Sequence, residues 1–335
     1  MYRKIMGFLE AWKESEHRKP LILQGARQVG KTYSILEFGR THYENVAYFN
    51  FETNPKLNET FEENISPDYL IPILSHIAGQ TIVKEKTLIV FDEVQLCERA
   101  LTSLKYFCED APDYHIIVAG SLLGVAVNRA KFSFPVGKVD MKTLYPMDME
   151  EFMLALGEDD LVEQIKKCFQ TDTPLPSALH DAAMQLYRQY LVVGGMPECV
   201  MQFAETKDYI LVRHTQDTIL ASYLNDMSKY NNLNEIKKTR LAYDNITVQL
   251  SKKNTRFQYK LIKKGGRASE FENAIEWLCL SGIVSQVYKV EQIKKPLENY
   301  RDIDAFKIYV SDLGLLCAKK DLAANDICRR RPVLS

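Results

Sequence analysis

The chain has 335 residues, 46% hydrophobic and 26% charged, the profile of an ordinary globular protein long enough for two or three domains. Its 43 Lys and Arg nearly balance 44 Asp and Glu, for a formal net charge of -1. That balance excludes a globally basic nucleic-acid binder and an acidic solvating tail, so any charged interface is local. Apolar runs such as Leu88–Phe91 are far shorter than a membrane span, and no membrane partner is expected.

The N-terminal stretch MYRKIMGFLEAWKESEHRK has Glu10, Glu14 and Glu16 inside an amphipathic helical pattern. It lacks the uninterrupted apolar segment of a secretory signal, which predicts a cytoplasmic protein. Seven cysteines, at 97, 108, 168, 199, 279, 317 and 328, are scattered and form no C-x-x-C pair. Neither a zinc site nor a disulfide framework is indicated, and reduced thiols, several of them buried, are expected.

From Leu21 to Phe152, short apolar strands alternate with longer amphipathic stretches: Leu21–Gln24, Val46–Glu52, Thr87–Glu93 and His115–Ser121. PVGKVDMKTLYPMDMEEF then supplies a last strand and a turn before a helix, since Pro146 forbids helix continuity. This alternation predicts an α/β class core over residues 1–152, a parallel sheet with helices on both faces. Residues 153–231 read as a helical lid or connector, with loops at Thr171–Ser177 and Val193–Glu198 marked by Pro or paired Gly. Residues 232–316 give three helical patterns and then two strand-like segments, QVYKV and AFKIYV, the outline of a winged helix. Residues 317–335 read as a tail with no further core.

The stretch LILQGARQVGKTYSILEF carries the chemistry. Gly25-Ala26-Arg27-Gln28-Val29-Gly30-Lys31-Thr32 fits G-x-x-x-x-G-K-[ST] between a strand and a helix, the pattern of a P-loop NTPase phosphate loop. Gly25 and Gly30 can take positive φ, so successive N–H groups converge on one anion. The helix start near Lys31 adds its positive dipole end. Lys31 reaches the outer phosphates of ATP, the Thr32 hydroxyl holds Mg2+, and Tyr33 follows in the first turn. Average residue frequencies put a chance match on the order of one per hundred chains of this length. Arg27 and Gln28 either contact acidic neighbours or the nucleotide, or are exposed loop residues.

The second half of such a site is Leu88-Ile89-Val90-Phe91-Asp92-Glu93. A buried strand ending in Asp92 places a carboxylate where it holds Mg2+ beside the loop, and Glu93 is placed to polarise a water for in-line attack on the γ-phosphate. The plainer alternative is a strand that ends at the surface in two acids. Ser121, after Gly120, is either a γ-phosphate sensor that aligns this water or a turn residue. Glu52 is a third carboxylate expected at the same edge, with a capping or water-linked role. No [NT]-K-x-D motif points to guanine and no LSGGQ signature to a transporter, so ATP is the expected nucleotide.

Lys252, Lys253, Arg256, Lys260, Lys263, Lys264 and Arg267 cluster between the second and third C-terminal helical patterns, and Lys294-Lys295 fall at the tip of the wing. Such a face neutralises DNA phosphates and makes binding salt-dependent, or it is a solvated surface or a protein contact.

Taken in order, LQGARQVGKT, FNFE, LIVFDEVQ, AGSLLG, LYPMDMEEF, LVVGGMPE and KIYVSDLGLL resemble the AAA-type ATPases of the AAA_14 group, whose C-terminal part is DUF4143. The resemblance covers nearly the whole chain. It implies an AAA-like core with ATP and Mg2+, and a winged-helix region that contacts double-stranded DNA. GGMPE and LYPM are marks of the group with no mechanism legible in the residues themselves. The group often has Gly-Arg near the end of the core where this chain has Gly137-Lys138, and lysine lacks the planar fork of an arginine finger. Similar proteins continue into a nuclease-like fold, for which this sequence offers no site: either the chain is a short variant or the sequence is incomplete.

Together these readings predict an ATP-hydrolysing, Mg2+-dependent switch coupled to a winged helix. The alternative is a slow or non-hydrolysing ATP-dependent scaffold that recruits a protein partner or a second copy of the chain, with a small-molecule kinase ranked below both.

Overall fold

The computed structural model describes residues 1–121, 135–229, 233–252 and 256–328. Contacts divide the chain into two units, Arg3–Tyr145, and Pro146–Ser335 with Met1–Tyr2. The division between Tyr145 and Pro146 lies upstream of the Phe152 edge expected from the sequence.

The first unit opens with α1 (Ile5–Lys13), which buries Ile5, Leu9 and Trp12. It ends before Glu14 and Glu16, so the amphipathic helix is shorter than its sequence pattern. The sheet strands are β1 (Leu21–Gly25), β2 (Asn45–Asn50), β3 (Thr87–Asp92), β4 (His115–Ser121) and β5 (Asp140–Thr143). The helices α2 (Lys31–His42), α3 (Lys56–Glu63), α4 (Pro67–Ala78) and α5 (Glu98–Asp110) connect them. All strand pairs are parallel, in the order β2-β3-β4-β1-β5. β3 is buried at every position, as its continuous run of Leu, Ile, Val and Phe requires of a strand covered on both faces. Phe91 anchors one side of the core, edge-on to Phe51 and Phe61 at centroid distances of 5.8 and 5.6 Å.

The second unit begins with α6 (Met149–Ala155), opened by a capping box in which Asp148 accepts from the Glu151 N–H and Glu151 from the Asp148 N–H. Helices α7 (Asp159–Gln170), α8 (Ser177–Val193), α9 (Pro197–Thr206) and α10 (Tyr209–Lys229) follow. The two loops expected around Pro and paired Gly fall between α7 and α8 and between α8 and α9. Then come α11 (Leu233–Leu250), α12 (Tyr259–Ile262), α13 (Ala268–Leu280) and an antiparallel hairpin of β6 (Val284–Val290) and β7 (Arg301–Val310). Residues 317–328 are not a coreless tail. Cys317 and Ala318 are buried in α14 (Leu313–Lys319), which packs against α8, and α15 (Ala324–Cys328) follows. The thiol of Cys317 donates to the Leu191 carbonyl at 3.0 Å, one of the ties between α14 and α8.

The marks GGMPE, LYPM and SDLG acquire a physical reason here. The buried Asp312 carboxylate caps α14 by accepting from the Leu315 N–H at 2.8 Å and accepts from the Gly195 N–H at 2.6 Å. Met147 donates its N–H to Gly195 O at 2.7 Å, and its own carbonyl accepts from the Tyr190 hydroxyl at 2.8 Å. Gln216 binds the Val192 and Val193 carbonyls at 2.8 and 3.0 Å, closing the end of α8. A Cβ on Gly195 would fall into the Met147 backbone, and one on Gly314 into the Val193 carbonyl, so three distant motifs meet where side chains have no room. Burial pushes the Asp312 carboxyl above the usual carboxylate range, against the downward pull of the N–H groups it accepts from.

Candidate functional site

The loop from Gly25 to Thr32 joins β1 to α2. Gly30 is left-handed at φ 89°, and Gln28 takes φ 65°, a conformation uncommon without glycine. At Gly25 the demand is for space, because a Cβ there would overlap the Leu144 carbonyl. Leu144 in turn donates to Gln24 O at 2.7 Å, pinning the strand end beneath the loop. The Lys31 ammonium bonds Gly25 O at 3.1 Å and Ala26 O at 2.9 Å, curled across its own loop. Burial draws this ammonium down to about 8, although Glu93 and Asp92 pull it upward. Ala26 and Val29 are buried, while Arg27, Gln28 and Tyr33 are exposed.

Asp92 is buried at the end of β3 and faces the loop. Its Oδ2 accepts from the Thr32 hydroxyl at 2.9 Å and from the Tyr48 hydroxyl at 2.7 Å, and its Oδ1 from the Glu93 N–H at 3.0 Å. Tyr48, on β2, belongs to no sequence motif and stands out only by its aromatic character. Burial, followed by its contact with Asp92, raises the phenol to about 12 although Asn50 pulls the other way, so it stays a donor. Glu93 sits at φ 53° and ψ 39°, a left-handed conformation at a non-glycine residue. Its carboxylate accepts from the Gln95 side-chain amide. Lys31, Thr32, Asp92 and Glu93 therefore share one mouth of the sheet.

Other anticipated residues are placed differently. Ser121 ends β4 in register with Gly25, which sets its backbone beside the loop strand; its side chain lies outside the described residues. Glu52 lies beyond the end of β2, exposed, in a turn where its N–H donates to Asn50 Oδ1 at 2.9 Å. It does not join the carboxylates at the sheet edge, because β2 stops at Asn50. Lys138 pairs with Glu109 at 2.8 Å.

Of the basic cluster, Lys252, Lys260, Lys264 and Arg267 are exposed, and Lys253 lies outside the described residues. Lys263 pairs with Glu270 at 3.2 Å, and Arg256 donates to the Asp304 carbonyl at 2.8 Å. α13 itself carries Glu270, Glu272 and Glu276 and no basic residue. Among the described residues no group of three or more His, Cys, Asp or Glu side chains is arranged to hold a metal, and no helix is long and apolar enough to cross a membrane. The seven cysteines are free thiols, with Cys97, Cys199 and Cys317 buried.

Residues 17–153 match the AAA_14 family, described as an AAA domain, and residues 184–326 match DUF8612, a domain of unknown function. The C-terminal match is thus to DUF8612, and DUF4143 is not shown. Among solved structures the chain is similar to the Walker-type ATPase PABY2304 of Pyrococcus abyssi, at 13% identity over 95% of each chain with a TM-score of 0.58. It also aligns with the RuvB Holliday junction branch migration motor of Thermotoga maritima, at 14% identity over 84% of this chain and 87% of that one, TM-score 0.34. A third match is the Aeropyrum pernix ORC1 protein in complex with DNA, at 13% identity over 96% and 91%, TM-score 0.32. The first likeness shows a shared fold, and the other two carry no argument. No curated protein matches the chain. The N-terminal unit is an AAA-like P-loop fold.

Proposed function

We propose that this chain is an ATP-hydrolysing switch that binds ATP with Mg2+ in the loop Gly25–Tyr33. The observation that carries the reading is the meeting of Thr32 and Asp92 at 2.9 Å beside Lys31. The Thr32 hydroxyl and the Asp92 carboxylate are two hard oxygen donors that fit Mg2+, which takes further ligands from phosphates and water. The loop fits the nucleotide because Gly30 and Gln28 hold left-handed geometry and the Lys31 ammonium rests on two carbonyls it can leave for a phosphate. Bound Mg2+ would neutralise charge on the outer phosphates. Thr32 and Asp92 would hold it, Lys31 would bind the outer phosphates, Ser121 would sense the γ-phosphate, and Glu93 would orient and deprotonate the attacking water. The test is phosphate release by the full chain with ATP and Mg2+; no release above background, together with no ATP binding, overturns the reading.

One observation favours slow turnover. The Glu93 carboxylate accepts from the Gln95 amide, a bond that stabilises the charged carboxylate and makes it a weaker base toward water. A slow ATP-dependent scaffold therefore stands as the second reading, separated from the first by the rate of phosphate release at saturating ATP.

The three helices and hairpin from Leu233 to Val310 support a winged-helix assignment for the element the switch acts on. We assign duplex DNA as its partner through phosphate contacts from exposed Lys252, Lys264 and Arg267. The acidic α13 is not given a base-reading role. A full chain that fails to bind duplex DNA at low salt turns this part toward a protein partner.

A further inference from the structure

Arg3 lies 26 residues before Val29, outside every motif that marks the site, yet its side chain reaches the phosphate loop. Its guanidinium is almost wholly buried, with 4% exposure. Nη1 donates to the Val29 carbonyl at 2.9 Å, and Nη2 donates to the Tyr145 carbonyl at 2.8 Å. A buried guanidinium is costly to desolvate, and these two bonds meet part of its demand for acceptors. One of them falls on the phosphate loop.

The peptide between Val29 and Gly30 is the plane before the one that enters α2 at Lys31. In a trans peptide the C=O and N–H point to opposite sides. Holding the Val29 carbonyl toward buried Arg3 therefore turns the Gly30 N–H the other way, away from the guanidinium. That orientation is not secured by the loop itself. Gly30 accepts φ of either sign at similar cost, so the plane can turn over with little strain in the backbone. A charge-assisted bond from a fixed guanidinium removes that freedom.

We infer that Arg3 is a positioning residue of the phosphate site: it locks the Val29–Gly30 peptide with the Gly30 N–H aimed at the bound phosphate. The inference rests on the nucleotide reading above and deepens it. Its second bond, to Tyr145 at the end of the first unit, braces the guanidinium from the other side. The Leu144 N–H bond to Gln24 O holds that same segment under β1, so the brace and the loop strand share one support.

The test compares the parent full chain with Arg3→Met, which keeps length and apolar bulk, and Arg3→Lys, which keeps the charge but not the two-pronged geometry. ADP with Mg2+ is titrated by calorimetry. Removing one N–H bond to phosphate weakens binding by about tenfold or more, so Arg3→Met is expected to weaken it at least that far and Arg3→Lys by an intermediate amount. The same variants in steady-state hydrolysis should show a raised KM for ATP with kcat changed far less. The chain has 15 glycines, so a 15N-glycine spectrum is sparse, and valine carbonyl labelling picks out Gly30 with the few other Val-Gly pairs. In the parent, ADP should move the Gly30 amide strongly downfield; in Arg3→Met that movement should shrink. A residue that only stabilised the fold would lower the melting temperature and leave the Gly30 response intact.

A folded Arg3→Met with parent affinity and a parent-like Gly30 shift overturns the inference while leaving nucleotide binding in place. Should Arg3→Met not fold, Arg3→Lys decides, and unchanged affinity together with an unchanged Gly30 response in that variant overturns the inference equally. A parent that takes no ADP at all overturns the nucleotide reading and this one with it.

Discussion

The phosphate loop and the knot around Asp312 use the same materials for opposite ends. Each combines glycine backbone with a buried aspartate, and in each a side chain on a glycine would collide with main chain. In the knot the anion is the chain's own: the Asp312 carboxylate sits on the Gly195 and Leu315 N–H groups and closes the place for good. In the loop the charged side chain is a lysine resting on carbonyls, and the aspartate stands across from it on the Thr32 hydroxyl. A glycine-rich sequence is therefore ambiguous between a site and a joint. What separates them is whether the chain supplies the anion itself.

The comparison breaks first at Glu93. Glu93→Gln should keep ATP and Mg2+ bound while turnover falls by about 1000-fold, because glutamine retains the shape without the base. Turnover near the parent rate would remove Glu93 from the mechanism. The knot should respond in stability alone. Asp312→Ala leaves the Gly195 and Leu315 N–H groups buried without that acceptor and should cost about 3 kcal/mol in denaturant unfolding. ATP affinity measured on the remaining folded protein should match the parent, and a large drop there would mean the joint takes part in the site.

Lys31→Ala should reverse that pattern, weakening ATP by about 100-fold, or about 2.7 kcal/mol, with little change in melting temperature. Unchanged affinity by calorimetry would sink the loop assignment. The pH dependence of binding sharpens the same point. In the proposed site Lys31 would bind phosphate in its protonated form, and its ammonium is drawn down to about 8. ATP affinity should then be level below pH 8 and fall by up to about tenfold per unit above it, until the higher pKa of the bound state is reached. A flat profile from pH 7 to 10 would show that the lysine stays charged. The smallest effect is expected at the basic cluster. Replacing Lys252 and Lys264 by Glu should lower the salt slope of duplex DNA binding by roughly 0.9 for each phosphate no longer neutralised, without touching ATP affinity.

What the sequence revealed followed the range of each interaction. The loop and the strand ending in Asp92 are contiguous, so residue type and spacing exposed them, and β1, β3 and β4 fall within a residue of their apolar runs. The order β2-β3-β4-β1-β5 was not legible, because alternation says that strands are parallel but not which are neighbours. Tyr48 and Arg3 escaped for the same reason: their partners lie 44, 26 and 142 residues away, and one tyrosine or arginine carries no pattern. Glu52 misled because FNFE reads as continuous strand, while Asn50 turns the chain with its side chain. The GGMPE and LYPM segments looked like marks without a mechanism since neither shows its partner.

The sheet order also sets a schedule for synthesis on the ribosome. β1 pairs with β4 and β5 and with no earlier strand, so the strand that carries the phosphate loop emerges first and waits. Its first neighbour, β4, begins roughly ninety residues later, several seconds of translation at ordinary elongation rates. β2 and β3 can pair with each other during that interval, whereas β1 has no strand to pair with. The Arg3 bond to Tyr145 forms last, when the whole N-terminal unit has left the exit tunnel. The support of the loop strand is therefore complete only when the last residues of its unit are available, so this edge of the sheet is assembled last although its sequence is made first.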